Sequence, residues 1–164
     1  MIRLIAAFDR QRGIAKQGFM PWNIPTDLAY FATKTKSGGG TILVGSTTFR
    51  TFKAPLADRK NYVLTSDKTP IEGVELVHNL INFLQPYHQS DQHLWVVGGA
   101  NVFAQVIEAD LADEIYATQI EADFGCTQFF PSLPDTFQLV SESELHEENG
   151  FIFKYLIYAR AVVR

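Results

Sequence analysis

Two segments of the chain share one construction: an apolar run that ends in glycine and continues into a helix-forming stretch. They are VGSTTF at residues 44–49 and VVGGANVF at residues 96–103. A strand followed by a helix returns to its sheet in the same direction, so such units predict parallel strands covered by helices. The repeated construction therefore indicates the α/β class.

Apolar and β-branched runs predict the strands, and amphipathic spacing predicts the helices. The predicted strands are residues 2–8, 41–44, 60–65, 74–77, 94–97, 114–120, 138–145 and 151–160. The predicted helices are residues 26–36 with Thr26 as N-cap, a short helix from Ser46 through Phe52, residues 80–84, and one that follows Gly99. Residues 9–23 are predicted to form a long loop, and Asn149-Gly150 a tight hairpin turn.

These elements predict a single-domain α/β fold over residues 1–164. Its mixed sheet has about eight strands and is mostly parallel, with a C-terminal antiparallel hairpin and helices on both faces.

Composition narrows the classes of function. The chain has 164 residues, 46% hydrophobic and 20% charged, with a net charge of −4. No window is densely basic, which argues against nucleic acid as a main partner. Cys126 is the only cysteine, so an internal disulfide is ruled out. The apolar N-terminal run is too short for a signal h-region or a membrane span, which favours a cytoplasmic protein without membrane contact.

The segment MPWNIPTDLAYF at residues 20–31 places one carboxylate, Asp27, at the edge of an apolar stretch. An acid in the first turn of a helix is often a surface residue favoured by the helix dipole. Here Leu28 and Phe31 turn inward, and Met20 and Trp22 cover the same face from the loop. A carboxylate enclosed in this way has a raised pKa and suits an amidine-like ring face that presents two N–H donors.

The two glycine segments leave two interpretations open. Gly98-Gly99-Ala100 is either a tight turn that needs glycine or a cradle that lets a diphosphate approach a helix start. The hydroxyls of residues 46–48 either cap a helix or bind phosphate oxygens. Neither segment is a GxGxxG or Walker motif.

Other groups give weaker signals. The histidines lack metal-ligand spacing, so no metal site is predicted. Cys126 is expected to be an inert thiol. Arg59 belongs either to a solvated turn or to a clamp for an anionic substrate tail.

The motifs MPWNIPTDLAYF, VGSTTF, RKNYVLTS and VVGGANVF, in this order and spacing, resemble those of dihydrofolate reductase, and MIRLIAAFDRQRGIA resembles the first strand and loop of that family. The resemblance implies that Asp27 binds the pterin ring, that Trp22 holds an ordered water beside it, and that Met20 covers the nicotinamide from a mobile loop over about residues 9–24. The implied substrate-binding residues are Ile5, Ala7, Leu28, Phe31, Phe52, Leu56, Arg59 and Thr118, where Arg59 pairs with the glutamate tail and Thr118 bonds to Asp27. The implied cofactor-binding residues are Ala7, Ile14, Gly45, Ser46, Thr47, Thr48, Thr65, Ser66, Lys68, Val97, Gly98, Gly99, Ala100, Asn101 and Val102.

The chain departs from the family pattern at several positions. Ser46 and Asn101 stand where basic residues often hold the 2′-phosphate of NADPH. Ser66 and Lys68 are the substitutes that the sequence offers, and Asp67 lies between them. Preference for NADP over NAD is therefore open, and antifolate sensitivity is open because Phe52 is bulky.

A further departure concerns closure of the mobile loop. Cys126 and Thr127 stand where an acidic residue is usual, so the mode of closure is open.

The resemblance implies reduction of 7,8-dihydrofolate to tetrahydrofolate by hydride transfer from NADPH, carried out by a monomer. Two alternatives remain at this point. One is a reductase of the same fold that acts on a ribosylated pyrimidine in riboflavin synthesis. The other is a non-catalytic protein that binds nucleotide or folate.

Overall fold

The computed structural model describes residues 1–161. Residues 162–164, the end of the predicted single domain, lie outside the described residues. The strands are β1 (Ile2–Phe8), β2 (Gly13–Ala15), β3 (Thr41–Gly45), β4 (Lys60–Leu64), β5 (Val74–Val77), β6 (Leu94–Val96), β7 (Glu114–Ile120), β8 (Gln128–Phe129), β9 (Phe137–Glu142), β10 (His146–Glu148) and β11 (Phe151–Arg160). The helices are α1 (Pro25–Lys36), α2 (Ser46–Phe49), α3 (Leu80–Leu84) and α4 (Ala100–Glu108), and a 3₁₀ turn follows α1 at Ser37–Gly39.

The main sheet runs in the order β10-β11-β7-β1-β6-β3-β4-β5, and β9 also pairs with β11. Strands β1 and β3 to β7 pair in parallel, while β11 lies antiparallel to β7. The mixed, mostly parallel sheet with an antiparallel C-terminal part is therefore confirmed.

Two details of the strand prediction were wrong. Within residues 1–161 the main sheet has nine strands, because the chain divides here into β9, which matches the strand predicted over residues 138–145, and β10, which lies beyond it. The division falls at Ser143, whose hydroxyl accepts from the backbone N–H of Tyr155 at 2.8 Å in place of a regular ladder bond. The loop predicted over residues 9–23 contains β2, which pairs with β8 in a separate two-stranded sheet.

The sheet buries both of its faces because its central strands β1, β3 and β6 are mostly apolar. Ile5, Ile42 and Trp95 lie on one face, where Tyr30 and Phe31 of α1 pack against them. The opposite face packs against α3 and α4, and its cluster includes Leu4, Leu43, Val96, Leu84, Phe103 and Val106. Helices on both faces are thus confirmed.

Helix α1 begins one residue earlier than predicted, with Pro25 in its first turn and Ile24 as N-cap. The prediction of Thr26 as N-cap was wrong, because proline is already suited to the first helical position and starts the helix there. The Thr26 hydroxyl instead donates to the carboxylate of Glu148 on β10. This contact ties the start of α1 to the C-terminal strands.

The short helix predicted through Phe52 ends at Phe49, and no side chain caps its start at Gly45. Strands β3 and β6 end side by side, and the backbone N–H of Gly45 donates to the carbonyl of Gly98 at 2.8 Å. The two glycine segments therefore meet at the carboxyl edge of the sheet, the edge at which open parallel sheets bind ligands.

Candidate active site

Asp27 lies in the first turn of α1 and faces the middle of β7. The hydroxyl of Thr118, itself buried, donates to Oδ1 of Asp27 at 2.6 Å. Burial raises the pKa of Asp27 above its ordinary value, and the bond from Thr118 opposes this rise. The enclosed acid and its Thr118 partner are thus both where the sequence and the resemblance put them.

Trp22 packs against the same end of the sheet. It is 7% exposed, in a cluster with Ile24, Ile120 and Phe153. Its indole N–H is buried, and it has no hydrogen-bond partner among residues 1–161. Met20, two residues earlier, is 53% exposed, so the structure gives it no packing role in this part of the molecule.

Sequence reasoning missed two tyrosines beside Asp27, Tyr30 and Tyr155, and a third, Tyr116, that packs near Tyr30. Tyr30 stacks on Tyr155 with ring centroids 4.1 Å apart, and Tyr116 packs in the cluster that also contains Tyr30. Burial, helped by Tyr116, Tyr155 and Asp27, raises the pKa of Tyr30 to about 12. The signal for Tyr30 was its spacing of three residues from Asp27, whereas nothing local pointed to Tyr155.

Three of the eight predicted substrate-binding residues share one apolar wall, which Val97 from the predicted cofactor-binding set completes. Ile5, Phe31, Leu56 and Val97 pack in the cluster around Ile42 and Trp95. The remaining members lie around its border. Ala7 pairs with Thr118 across β1 and β7, and the Phe52 ring lies 5.9 Å from that of Phe49. The prediction that Leu28 turns inward was wrong, because its side chain is 51% exposed on α1.

Arg59 is fixed at one end of this wall. Its Nη1 donates to the hydroxyl of Thr35 at 2.8 Å, and its Nε donates to the carbonyl of Ala57 at 2.9 Å. Burial lowers the pKa of Arg59 below its ordinary value, and Asp58 opposes this effect. A guanidinium held by two bonds, one of them to α1, is preorganised to receive an anion.

The glycine segments form an interlocked cradle. A Cβ placed on Gly99 would lie 2.5 Å from the Oγ1 of Thr48, and one placed on Gly45 would lie 2.9 Å from Val102. The Gly98–Gly99 peptide is cis, and the φ of Gly98 is 134°. Glycine is therefore required by close contacts at both segments, and the cradle leaves main-chain groups open to a ligand.

Beside the cradle lies a cavity of about 170 Å³ lined by Ser46, Phe49, Arg50, Thr65, Asp67, Thr69 and Ile71. Ser46 and Thr65 are thus brought together as predicted, whereas Ser66 and Lys68 are exposed residues outside this lining. Asn101 is exposed and accepts a bond from the amide of Gln105 at 2.8 Å. Sequence reasoning missed Arg50, a cation that lines this cavity. Arg50 directly follows the last residue of α2, and the sequence predicted that this helix continues through Phe52.

The loop before Asp27 is anchored to the segment around β8. The backbone N–H of Gln17 donates to the hydroxyl of Thr127 at 2.9 Å, and the N–H of Thr127 donates to the carbonyl of Ala15 at 2.9 Å. Ile14 in β2 packs against the main core. A neutral hydroxyl therefore holds the loop at the position where the sequence departs from the family pattern.

Cys126 lies beside this anchor. Burial, with help from Asp9, raises the pKa of the Cys126 thiol to about 11, so the thiol is protonated at neutral pH. This protonation state fits the predicted inert role. Among residues 1–161, no group of three or more potential metal ligands is present.

A larger cavity, about 420 Å³, lies away from Asp27, near Phe8, Arg10, Arg12, Gln119 and Tyr158. Its lining contains none of the predicted site residues. The candidate active site is therefore defined by the chemistry of its residues and not by cavity size.

Fold and site together define a class: an α/β protein with a half-buried carboxylate that faces β7 and a glycine cradle at the carboxyl ends of β3 and β6. Comparison with known proteins makes this more precise. The family model for dihydrofolate reductase matches residues 1–160. The chain therefore belongs to the dihydrofolate reductase family.

Individual relatives agree with the family match. Dihydrofolate reductase of Bacillus subtilis (strain 168) is 32% identical, with 98% of this chain and 95% of the relative covered. Dihydrofolate reductase of Staphylococcus aureus (strain Mu50 / ATCC 700699) is 36% identical, with 84% of this chain and 80% of the relative covered. The structure is similar to that of dihydrofolate reductase from Enterococcus faecalis complexed with NADP(H) and RAB-propyl, with a TM-score of 0.85 and 30% identity over 98% of this chain and 96% of that one.

Proposed function

We propose that Asp27 binds and polarises the pterin ring of 7,8-dihydrofolate in the reaction that defines the family. The chain reduces 7,8-dihydrofolate to tetrahydrofolate with NADPH as reductant. The observation that carries the role of Asp27 is its half-enclosed carboxylate with a raised pKa, bonded from behind by Thr118. An acid that faces an apolar cleft and keeps one oxygen for a ligand suits a ring that presents two adjacent N–H donors.

When bound, NADPH supplies the hydride that is delivered to C6 of the substrate. The residues of this chain hold the two rings in contact and exclude water, and most of the acceleration comes from this placement. The wall of Ile5, Phe31, Leu56 and Val97 supports the pterin and the segment that follows it. In this proposal Trp22 holds the water that passes a proton to N5 under the influence of Asp27. Its buried indole N–H, which has no partner among residues 1–161, supports that role.

The cradle fits the cofactor diphosphate. Gly45, Gly98 and Gly99 have no side chains at the ends of adjacent strands, and Gly99 is the N-cap of α4, where free backbone N–H groups attract anions. We assign Thr47, Thr48, Ala100, Asn101 and Val102 to the same surface. Ala7 and Ile14 contact the nicotinamide amide, and Met20 covers the nicotinamide when the loop closes.

Arg50 is proposed as the cation for the 2′-phosphate, together with the hydroxyls of Ser46 and Thr65. All three line the cavity of about 170 Å³, but Asp67 lines it as well and repels phosphate. Hydrogen bonds from Thr69, with a contribution from Arg50, lower the pKa of Asp67 and keep it charged. We expect Arg50→Ala to raise the KM for NADPH by about tenfold and to leave the KM for NADH unchanged. An equal effect on both cofactors would contradict the role.

The assay for the function compares initial rates with dihydrofolate and NADPH, dihydrofolate and NADH, and a ribosylated pyrimidine with NADPH. Loss of the reduced-nicotinamide absorbance with dihydrofolate, and none with the pyrimidine, is expected. Binding of both ligands without this absorbance change would favour the non-catalytic alternative and overturn the proposal.

The cellular location, oligomeric state and partners of the protein are also proposals. Within residues 1–161, no helix is long and apolar enough to cross a membrane. We propose a cytoplasmic monomer of one domain that binds two small molecules, and no nucleic acid, as the net charge of −4 suggests.

A further inference from the structure

Tyr155 lies beside Asp27 and has no part in the function proposed so far. In the antiparallel pairing of β11 with β7, Tyr155 stands directly opposite Thr118. Directly opposed residues project their side chains from the same face of a sheet. Because the hydroxyl of Thr118 donates to Asp27, that face is the one that α1 covers.

A second contact fixes the position of the ring independently. The rings of Tyr155 and Tyr30 stack with centroids 4.1 Å apart and planes inclined by 27°. Tyr30 follows Asp27 by three residues, so the two occupy neighbouring positions on one side of α1. Strand register and ring stacking therefore both bring Tyr155 to the first turn of α1.

The hydroxyl of Tyr155 is buried and has no hydrogen-bond partner among residues 1–161. Buried hydroxyls nearly always have a partner, and a phenol O–H can rotate toward an acceptor. Burial first, and then the carboxylates of Asp27 and Glu148, raise the pKa of Tyr155 to about 12, so it carries its proton at neutral pH. The hydroxyl is thus a donor that lies in the field of two carboxylates.

Of these two acceptors, Glu148 is the more fully occupied. It accepts from the backbone N–H of Thr26 at 3.0 Å and from the hydroxyl of the same residue. Asp27 accepts from Thr118 through one oxygen. Asp27 therefore has the greater remaining capacity to attract the O–H dipole.

The other charged and titratable groups near Asp27 and Tyr155 do not supply this interaction. His146 on β10 packs against Tyr155 with ring centroids 5.5 Å apart, on the strand that also carries Glu148. Tyr30 on α1 and Tyr116 on β7 have pKa values raised by burial and remain neutral at physiological pH. The ammonium of Lys34 lies over the rings of Tyr30 and Tyr116, at 5.5 and 5.7 Å from their centroids. Glu148 on β10 is a carboxylate that acts on Tyr155 and accepts from Thr26, so it donates nothing to Asp27.

We infer that Tyr155 is a positioning residue whose hydroxyl dipole points at the Asp27 carboxylate and favours its charged form. The inference rests on the proposed role of Asp27 in binding the pterin. Thr118 and Tyr155, neighbours on adjacent strands, then act together against the burial of the acid. Their combined effect sets the pH at which the substrate pocket gains its proton.

The test measures single-turnover hydride transfer against pH in Tyr155→Phe, which keeps the stacked ring and removes the hydroxyl. The apparent pKa of the profile should rise by about half a unit. The matched control is Tyr158→Phe, since Tyr158 pairs with Ile115 and faces the other side of the sheet. The control should superimpose on the parent profile.

A thermal melt distinguishes a positioning role of Tyr155 from a purely structural one. Tyr155→Phe should melt close to the parent, because the stacked ring is kept and the hydroxyl makes no hydrogen bond within residues 1–161. A lower melting temperature with an unchanged pH profile would assign Tyr155 a structural role and overturn the inference.

Asp27→Asn, alone and with Tyr155→Phe, distinguishes the two levels of the proposal. If Asp27→Asn keeps full turnover, both the role of Asp27 and the inference about Tyr155 fail. If Asp27→Asn loses turnover while Tyr155→Phe keeps the parent profile, only the inference fails. A shift with Tyr155→Phe that disappears in the Asp27→Asn background supports both.

Discussion

Two carboxylates at the same end of the sheet, Asp9 and the half-buried Asp27, have opposite environments. Asp9 follows β1 and is 1% exposed, and its oxygens accept from the backbone N–H groups of Gln11, Gly13 and Phe124 at 2.7 to 3.2 Å. Asp27 accepts from one side chain, Thr118, and faces the cleft. Both acids are costly to bury, but only Asp9 is compensated on every side.

The difference separates a structural acid from a functional one. Asp9 joins the loop after β1 to the segment before β8, so its bonds stabilise the fold. Asp27 keeps one oxygen without a described protein donor, and its pKa is raised by burial. A carboxylate with unused acceptor capacity in an apolar cleft is the expected feature of a binding site. The predictions that follow test this division.

The largest expected effect is that of Asp27→Asn on turnover. It should lower hydride transfer at neutral pH by about 10² to 10⁴-fold, because the carboxylate that polarises the pterin is lost. NADPH affinity, measured by fluorescence titration, should stay within about twofold of the parent if the cradle is independent of Asp27. Asp135→Asn is the surface control, and a drop in NADPH affinity that matches the loss of turnover would contradict the assignment.

The same variant should be more stable than the parent at neutral pH. The folded pKa of Asp27 lies above its ordinary value of 3.8, so folding binds a proton more readily and is disfavoured as pH rises through this window. The gain in melting temperature with Asp27→Asn should therefore be present at neutral pH and vanish below about pH 4. A variant that melts lower than the parent at neutral pH would show that Asp27 is a structural acid.

Asp9→Ala should destabilise the fold, in contrast to Asp27→Asn. Three buried backbone N–H groups lose their acceptor, which should lower the free energy of unfolding by about 2 to 4 kcal/mol. Urea denaturation measures this loss, with the exposed Asp123→Ala in the same segment as control. If Asp9→Ala unfolds at the parent midpoint, the proposed contrast between the two acids is wrong.

Thr118→Val should have a smaller effect, confined to the pH profile. It removes the one hydrogen bond that lowers the pKa of Asp27, so the profile of hydride transfer should move to higher pH. Thr35→Val is an informative partner, because Thr35 is also buried but accepts from Arg59. Thr35→Val should weaken the binding of substrates that carry the glutamate tail and leave the pH dependence of hydride transfer unchanged. A shift in the profile with Thr35→Val would show that Thr118 has no special relation to Asp27.

The smallest effect is expected at the loop anchor. Thr127→Ala removes the bond from Gln17, worth about 0.5 to 1.5 kcal/mol, and should change turnover severalfold at most. Thr127→Ser keeps the hydroxyl and should match the parent in steady-state kinetics. If Thr127→Ala lowers turnover more than Thr118→Val does, loop closure affects the rate more than the environment of Asp27 does, and the expected order of effects is wrong.

Sequence reasoning found the parts of the molecule that depend on local pattern. The central strands, α1 and the enclosed position of Asp27 follow from apolar runs and helical spacing. The close approach of Gly45 to Gly98 also agrees with the repeated strand–glycine–helix construction.

The parts that were missed depend on contacts between distant residues. Strands β2 and β8 have three and two residues and form only because they meet each other. Tyr155 reaches Asp27 through the register of β11 on β7, which no local pattern encodes. The role of Thr118 came from the resemblance alone, since a threonine in a strand gives no signal of its own.

The most direct test of the central claim is a ¹³C NMR titration of the aspartate carboxyl groups in the ligand-free protein, assigned with Asp27→Asn. The account predicts that the resonance lost in this variant titrates above 3.8, and that it moves higher still in Thr118→Val. Titration of Asp27 at or below 3.8 would show a solvated surface acid and would contradict the account.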